Sequence, residues 1–165
     1  LIVAYRGFSG NKGKPTELGL YEDARGVLNW LKKQNIKEHQ IIIYGESLGT
    51  GVSVEIAQNK KFAGIILESP FTSMLKLSRK YYAWLPTGLL LKDKYETDKK
   101  INKVFSPILF LHGRKDKIVP FEMGENLFKK ANNPKFSYFV DKDDHMMDFN
   151  EDLVNSINQF VKSLN

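Results

Sequence analysis

Gln40-Ile41-Ile42-Ile43-Tyr44-Gly45-Glu46-Ser47-Leu48-Gly49-Thr50-Gly51 is the stretch on which the reading of this chain turns. Its three isoleucines and tyrosine form a short, β-branched apolar run, the mark of a strand buried on both faces. That run enters Gly45 without a spacer, and residues 48–58 follow with helical character. Strand, sharp turn and helix in direct succession put Ser47 at the tip of the turn. Gly45-Glu46-Ser47-Leu48-Gly49 matches G-x-S-x-G, in which small residues two before and two after the serine let the backbone turn tightly and lift the Oγ above the sheet. A chain of this length would contain the pattern by chance roughly once in twenty, so its place between strand and helix carries the weight. The bland alternative is an inert surface hydroxyl on a structural turn. The same glycines do not spell a phosphate loop. A dinucleotide fingerprint beginning at Gly49 needs a glycine where Val54 stands, and a P-loop beginning at Gly45 needs Gly-Lys where Thr50-Gly51 stand.

Working outward, the chain alternates apolar runs with helix-period segments. Strands are expected at residues 1–5, 40–44, 63–68, 107–112 and 135–140, and helices at 17–34, 48–58, 121–131 and 151–164. Thr16 after Pro15 and Asn150 are the expected N-caps. Alternation of this kind predicts an α/β fold, a mostly parallel sheet of about five strands with helices on both faces. Residues 69–105 show no strand and are expected to form short helices over one end of the sheet, a cap-like insertion within a single domain spanning 1–165.

The composition narrows the function classes. With 165 residues, 42% of them hydrophobic, the chain can bury one core. It has no cysteine, which excludes disulfides and thiolate metal sites. The net charge of +6 comes from lysines such as Lys32-Lys33, Lys60-Lys61, Lys99-Lys100 and Lys129-Lys130, placed mostly at the ends of expected helices, where cations are favourable. Nucleic acid is therefore not an expected partner. The longest apolar runs fall far short of the ~20 residues that span a bilayer. A cytoplasmic location is the expectation, with association at a membrane surface left open. The first residue is Leu1, not Met, and residues 1–5 read like the middle of a buried strand, so the natural N-terminus is expected elsewhere.

A serine nucleophile needs a base, an acid to orient that base, and donors for the oxyanion. The chain has only three histidines. His39 lies in the polar connection Lys37-Glu38-His39-Gln40 and reads as a surface residue. His112 ends a strand before Gly113, where a buried structural histidine and a role near the site are both open. His145 lies in the loop after the last strand, at the sheet edge where the nucleophile must also lie. Asp116, in the loop after the penultimate strand, can reach the Nδ1 side of His145 while Ser47 reaches Nε2. Asp141, Asp143 and Asp144 compete by proximity, with an acidic solvated turn as their simpler reading. The chain order serine, aspartate, histidine is that of one particular fold.

These residues resemble the α/β-hydrolase superfamily, and within it the serine aminopeptidase type and depalmitoylase-like proteins. The resemblance rests on Tyr5-Arg6-Gly7-Phe8-Ser9-Gly10, Gly45-Glu46-Ser47-Leu48-Gly49, Glu68-Ser69-Pro70-Phe71-Thr72-Ser73, His112-Gly113-Arg114-Lys115-Asp116 with Val119-Pro120, and Asp144-His145. It implies Ser47, Asp116 and His145 as the catalytic triad and the Leu48 backbone N–H as one oxyanion donor. It also implies three strands before the position of Leu1, the third lying between residues 1–5 and 40–44, and a His-Gly loop after it with the second oxyanion donor. Without that strand, residues 1–5 are expected either to shift onto residues 40–44 or to leave an edge that pairs with another chain, giving a homo-oligomer.

The leading expectation is a serine hydrolase of carboxylic esters or thioesters, acting on a small-molecule or acylated substrate with no metal or organic cofactor. Phe71 and Trp84, with Tyr81, Tyr82 and Leu85, are the candidate walls of an acyl pocket; the alternative for each is ordinary core. A catalytically impaired remnant that binds a ligand or protein, and a peptidase, are the competing readings.

Overall fold

The structure is a computed structural model that describes residues 1–164. Four strands form one sheet: β1 (Ile42–Glu46), β2 (Gly64–Glu68), β3 (Ile108–Gly113) and β4 (Lys135–Val140). All neighbouring pairs are parallel, and the spatial order is β1-β2-β3-β4. β2 and β3 are buried at every position, as their runs Gly-Ile-Ile-Leu-Glu and Ile-Leu-Phe-Leu-His-Gly require of strands covered on both faces.

The two faces follow from side-chain alternation along those strands. Ile65, Leu67, Ile108 and Phe110 pack with Val54 and Ala57 of α2 (Leu48–Ala57) and Leu127 of α5 (Phe121–Lys130). Ile66, Leu109 and Leu111 point the other way, against Leu153 and Phe160 of α6 (Glu151–Lys162). Each such side chain contributes roughly 1.5–3 kcal/mol by leaving water. α1 (Glu17–Lys33) starts where Thr16 Oγ1 accepts the Gly19 N–H at 3.2 Å, and α6 where Asn150 Oδ1 accepts the Leu153 N–H at 3.0 Å. The parallel register brings the C-terminal ends of all four strands to one edge, Glu46 opposite Glu68 and Gly113 opposite Val140. The loops carrying Ser47, Ser69, Asp116 and His145 therefore leave the sheet side by side.

One strand expected from the sequence does not form. Residues 1–5 pair with no strand among the described residues, and Ile2 is 97% exposed. Their continuation is held over α1 instead: the Arg6 guanidinium meets Asp23 at 2.6 Å, and Asn11 donates to the Ala4 carbonyl at 2.8 Å. A groove of about 1050 Å³ separates this segment from β1, lined by Val3, Val27, Leu31, Ile42 and Tyr44 among others. The apolar face of α1 is thus divided, with Leu20 and Ala24 buried while Val27, Leu28 and Leu31 line the groove only half-covered. Residues 1–5 have not shifted onto β1, so Ile42 and Tyr44 stay exposed.

Residues 69–105 contain no strand among the described residues. They hold α3 (Met74–Tyr81), α4 (Thr87–Leu90) and the 3-10 turns Thr97–Lys99 and Ile101–Lys103. Ser73 Oγ caps α3 through the Lys76 N–H. This insertion is tied reciprocally to α1, since Glu17 accepts the N–H groups of Lys94 and Tyr95 while Asp93 accepts that of Glu17. No helix of the described residues is long and apolar enough to cross a membrane.

Candidate active site

β1 runs through Glu46 into Ser47, whose backbone has φ 48° and ψ −114°, and α2 starts at the next residue. A non-glycine residue in this region is strained by about 1–3 kcal/mol and needs its surroundings to hold it. Here the Ser47 N–H donates to the Glu68 carbonyl at 2.9 Å, and the Ser47 carbonyl accepts from Thr50 through both N–H and Oγ1. The side chain of Ser47 makes no cap bond, so its Oγ is free for another partner. The two flanking glycines differ. A Cβ on Gly45 would lie 2.4 Å from Ser53 Oγ and 2.6 Å from the Gly49 carbonyl oxygen, so only glycine fits. A Cβ on Gly49 would meet nothing within 4 Å, because Gly49 opens on the groove beside β1.

The partner of Ser47 Oγ is His145 Nε2 at 3.1 Å, and the opposite ring nitrogen, Nδ1, lies 2.8 Å from Asp116 Oδ2. His145 and Asp116 are buried, while Ser47 is partly open to solvent. Three side chains from three loops thus form one hydrogen-bonded line. The competing carboxylates lie elsewhere: Asp144 accepts the backbone N–H of His145, Asp143 that of Asp148, and Asp141 pairs with Arg114. His39 is exposed in a 3-10 turn.

Asp116 is held by more than His145. Oδ1 accepts the N–H groups of Ile118 at 2.8 Å and Val119 at 2.7 Å, and Oδ2 also faces His112 Nε2 at 3.2 Å. Burial opposes the charge on Asp116, but hydrogen bonds from His112, His145, Val119 and Ile118 outweigh it and hold the carboxyl pKa at about 2. The His112 side chain is fully buried, with Nε2 also 3.0 Å from the Val119 carbonyl oxygen. Both groups facing Nε2 are acceptors, while Nδ1 has no partner. The ring therefore carries its proton on Nε2, shared between the Val119 carbonyl oxygen and Asp116 Oδ2, since a proton on Nδ1 would be buried without an acceptor.

The Asp116 and His145 loops are also fastened to each other. The Lys115 N–H donates to the Asp143 carbonyl at 3.0 Å, and Arg114 N–H to that of Val140 at 2.8 Å. A Cβ on Gly113 would stand 2.3 Å from the Asp143 oxygen, so glycine is what lets the loops meet. Beneath them Ser69, buried and left-handed at φ 48°, donates from Oγ to the His145 carbonyl at 2.9 Å. Sequence reasoning left His112 undecided and gave Ser69 no role of its own, quoting it only within Glu68-Ser69-Pro70-Phe71-Thr72-Ser73.

Leu48 occupies the first position of α2, where a helix N–H has no intrahelical acceptor and is available to an external oxygen. The pocket walls expected from the aromatics fall elsewhere. Phe71 is 1% exposed and packs edge-on against Tyr95 over Gly51, as ordinary core. Trp84 is 79% exposed, in the turn between α3 and α4. Tyr81 and Tyr82 are exposed as well.

A parallel sheet with a strand-serine-helix turn and loop-borne aspartate and histidine at its C-terminal edge is the architecture of the α/β-hydrolase superfamily. Within it this chain belongs to the prolyl oligopeptidase family, whose profile matches residues 15–161. An uncharacterized protein of Mycobacterium tuberculosis is 40% identical over 136 residues, covering 82% of this chain and 48% of that protein. Human alpha/beta hydrolase domain-containing protein 17B is 33% identical over 148 residues, covering 86% of this chain and 48% of that protein. The chain therefore spans about half the length of these relatives. Among solved structures, an esterase of Pyrococcus furiosus superposes with a TM-score of 0.74 at 20% identity, over 97% of this chain and 68% of that one, a likeness of fold.

Proposed function

We propose that this chain carries the nucleophile, base and acid of a serine hydrolase that cleaves carboxylic esters or thioesters. The supporting observation is the line Ser47 Oγ, His145 Nε2, His145 Nδ1, Asp116 Oδ2, with neighbouring distances of 3.1 and 2.8 Å. In this reading His145 takes the Ser47 proton as Oγ attacks the carbonyl carbon, and Asp116 stabilises the resulting imidazolium. The Leu48 N–H donates to the oxyanion. Collapse of the tetrahedral intermediate expels the alcohol or thiol, protonated by His145, and leaves an acyl-Ser47 ester. Water, deprotonated by His145, then hydrolyses that ester and frees the acid.

The test is labelling by a fluorophosphonate together with turnover of an activated ester. Ser47→Ala is expected to abolish labelling and to lower turnover by roughly 10⁴- to 10⁶-fold. Equal labelling of wild type and variant sinks the proposal. A second reading, cleavage of peptide bonds by the same three residues, is favoured by the family profile, which is named for an oligopeptidase. Paired ester and amide substrates with the same acyl group separate the two readings.

A further inference from the structure

Between Met74 and Lys92 the chain has four cations, Lys76, Arg79, Lys80 and Lys92, and no carboxylate. Lys76 is paired with Asp98, but Arg79, Lys80 and Lys92 make no ion pair among the described residues. The same segment exposes Tyr81, Tyr82, Trp84, Leu89 (88%) and Leu90, a density of bare aromatic and aliphatic side chains unusual for solvent-facing surface. These residues share one corner. Leu85 N–H closes a turn on the Tyr82 carbonyl, and the Arg79 guanidinium lies against Gly88, within 3.2 Å of where a Cβ would stand, which brings the end of α3 beside α4.

The corner borders the serine site. Tyr81 OH donates to the carbonyls of Lys117 and Ile118, in the loop that carries Asp116. Ile118, in that loop, and Met146, next in the chain to His145, are themselves exposed.

We infer that the Tyr81-to-Lys92 corner docks on an anionic lipid surface and turns the Ser47 site toward amphiphilic substrates held there. Trp and Tyr rings have an apolar body and one polar tip, which suits the boundary between headgroups and acyl chains, and exposed leucines can enter the acyl region. The long stems of Arg79, Lys80 and Lys92 lie along apolar surface while their charges reach phosphate level. From Met74 to Lys92 the corner carries cations and no carboxylate, the complement of an anionic headgroup layer. Docking itself does not depend on the hydrolase reading; only the substrate class rests on it.

The experiment is co-sedimentation of the full chain with phosphatidylcholine vesicles, with and without phosphatidylserine. Trp84 emission is followed in a Trp30→Phe background. Binding is expected only with phosphatidylserine, with a blue shift of Trp84 and weakening as salt is raised. Arg79→Glu/Lys80→Glu is expected to weaken binding at least twentyfold, since each cation near such a surface strengthens binding about fivefold. Trp84→Ser/Leu89→Ser should abolish the bound fraction, and Ser47→Ala should bind as wild type does. Equal binding to both vesicle types, or binding unchanged by both double variants, overturns the proposal. So does self-association in lipid-free solution that Trp84→Ser/Leu89→Ser removes, since the corner would then be a protein interface. Turnover of a water-soluble activated ester is expected to be unchanged by Arg79→Glu/Lys80→Glu. Loss of that turnover in wild type would count against the hydrolase reading and leave docking standing.

Discussion

The two flanks of Ser47 are built differently. Toward β2 and β3 the site is densely hydrogen-bonded: Glu68 holds the Ser47 N–H, Ser69 holds the His145 carbonyl, and four donors surround Asp116. Toward β1's free edge the turn faces a groove of about 1050 Å³, and Gly49 has open space where a side chain would go. The Asp116–His145 side is held by bonds among these residues. The groove side is lined by residues 1–5, α1, β1 and α2 without being filled, so substitutions there act on an open surface.

Four measurements would break or sharpen that contrast. Asp116→Asn, on the dense flank, removes the carboxylate that fixes the His145 tautomer and is expected to lower turnover of an activated ester by about 10³- to 10⁴-fold. A loss below tenfold would mean that the dense flank is structural only. Gly45→Ala forces a Cβ against Ser53 and the Gly49 carbonyl and should cost about 3 kcal/mol in urea unfolding, the upper end for overpacking against backbone.

Asp116 should also mark the dense flank through pH. Its folded pKa of about 2 lies below the ordinary 3.8, so its ionised form stabilises the fold. That contribution, about 2 kcal/mol, is fully present above pH ~4 and is lost as pH falls through ~2. Urea midpoints measured across this window should fall further in wild type than in Asp116→Asn, since Glu17, Asp23 and Glu125, also held below their ordinary pKa, lose their share in both. The smallest effect is on the open flank. Gly49→Ala gains helix propensity and meets no atom, so it should be neutral or stabilise by up to about 1 kcal/mol. A destabilisation near that of Gly45→Ala would show that the groove is closed in solution.

The legible parts of this molecule were those governed by local rules. Buried parallel strands announce themselves as unbroken apolar runs, and the chain order of Ser47, Asp116 and His145 placed each in a loop at one sheet edge. Caps at Thr16 and Asn150 were readable because a side-chain acceptor and an N–H three residues on satisfy each other locally. What failed to read depends on distant partners. Residues 1–5 have the composition of a buried strand, but pairing is decided by what lies alongside, and the Arg6–Asp23 contact ties the segment to α1. Phe71 and Trp84 are alike in propensity and thirteen residues apart in sequence numbering, yet one is core and the other surface because only the first meets Tyr95 and Gly51. His112 could not be separated from an ordinary buried histidine, since its contact with Asp116 arises from the turn of the loop between them.

The fastening of the Asp116 loop to the His145 loop bears on how such a site diversifies. Because Gly113, Lys115 and Asp143 lock the two loops together, Asp116 and His145 are positioned as one unit. Ser69 and Tyr81 tie residues 69–105 to that unit, so a change of length that disturbs either contact reaches the Asp116–His145 spacing, whereas resurfacing of the exposed Trp84, Leu89 and Leu90 does not.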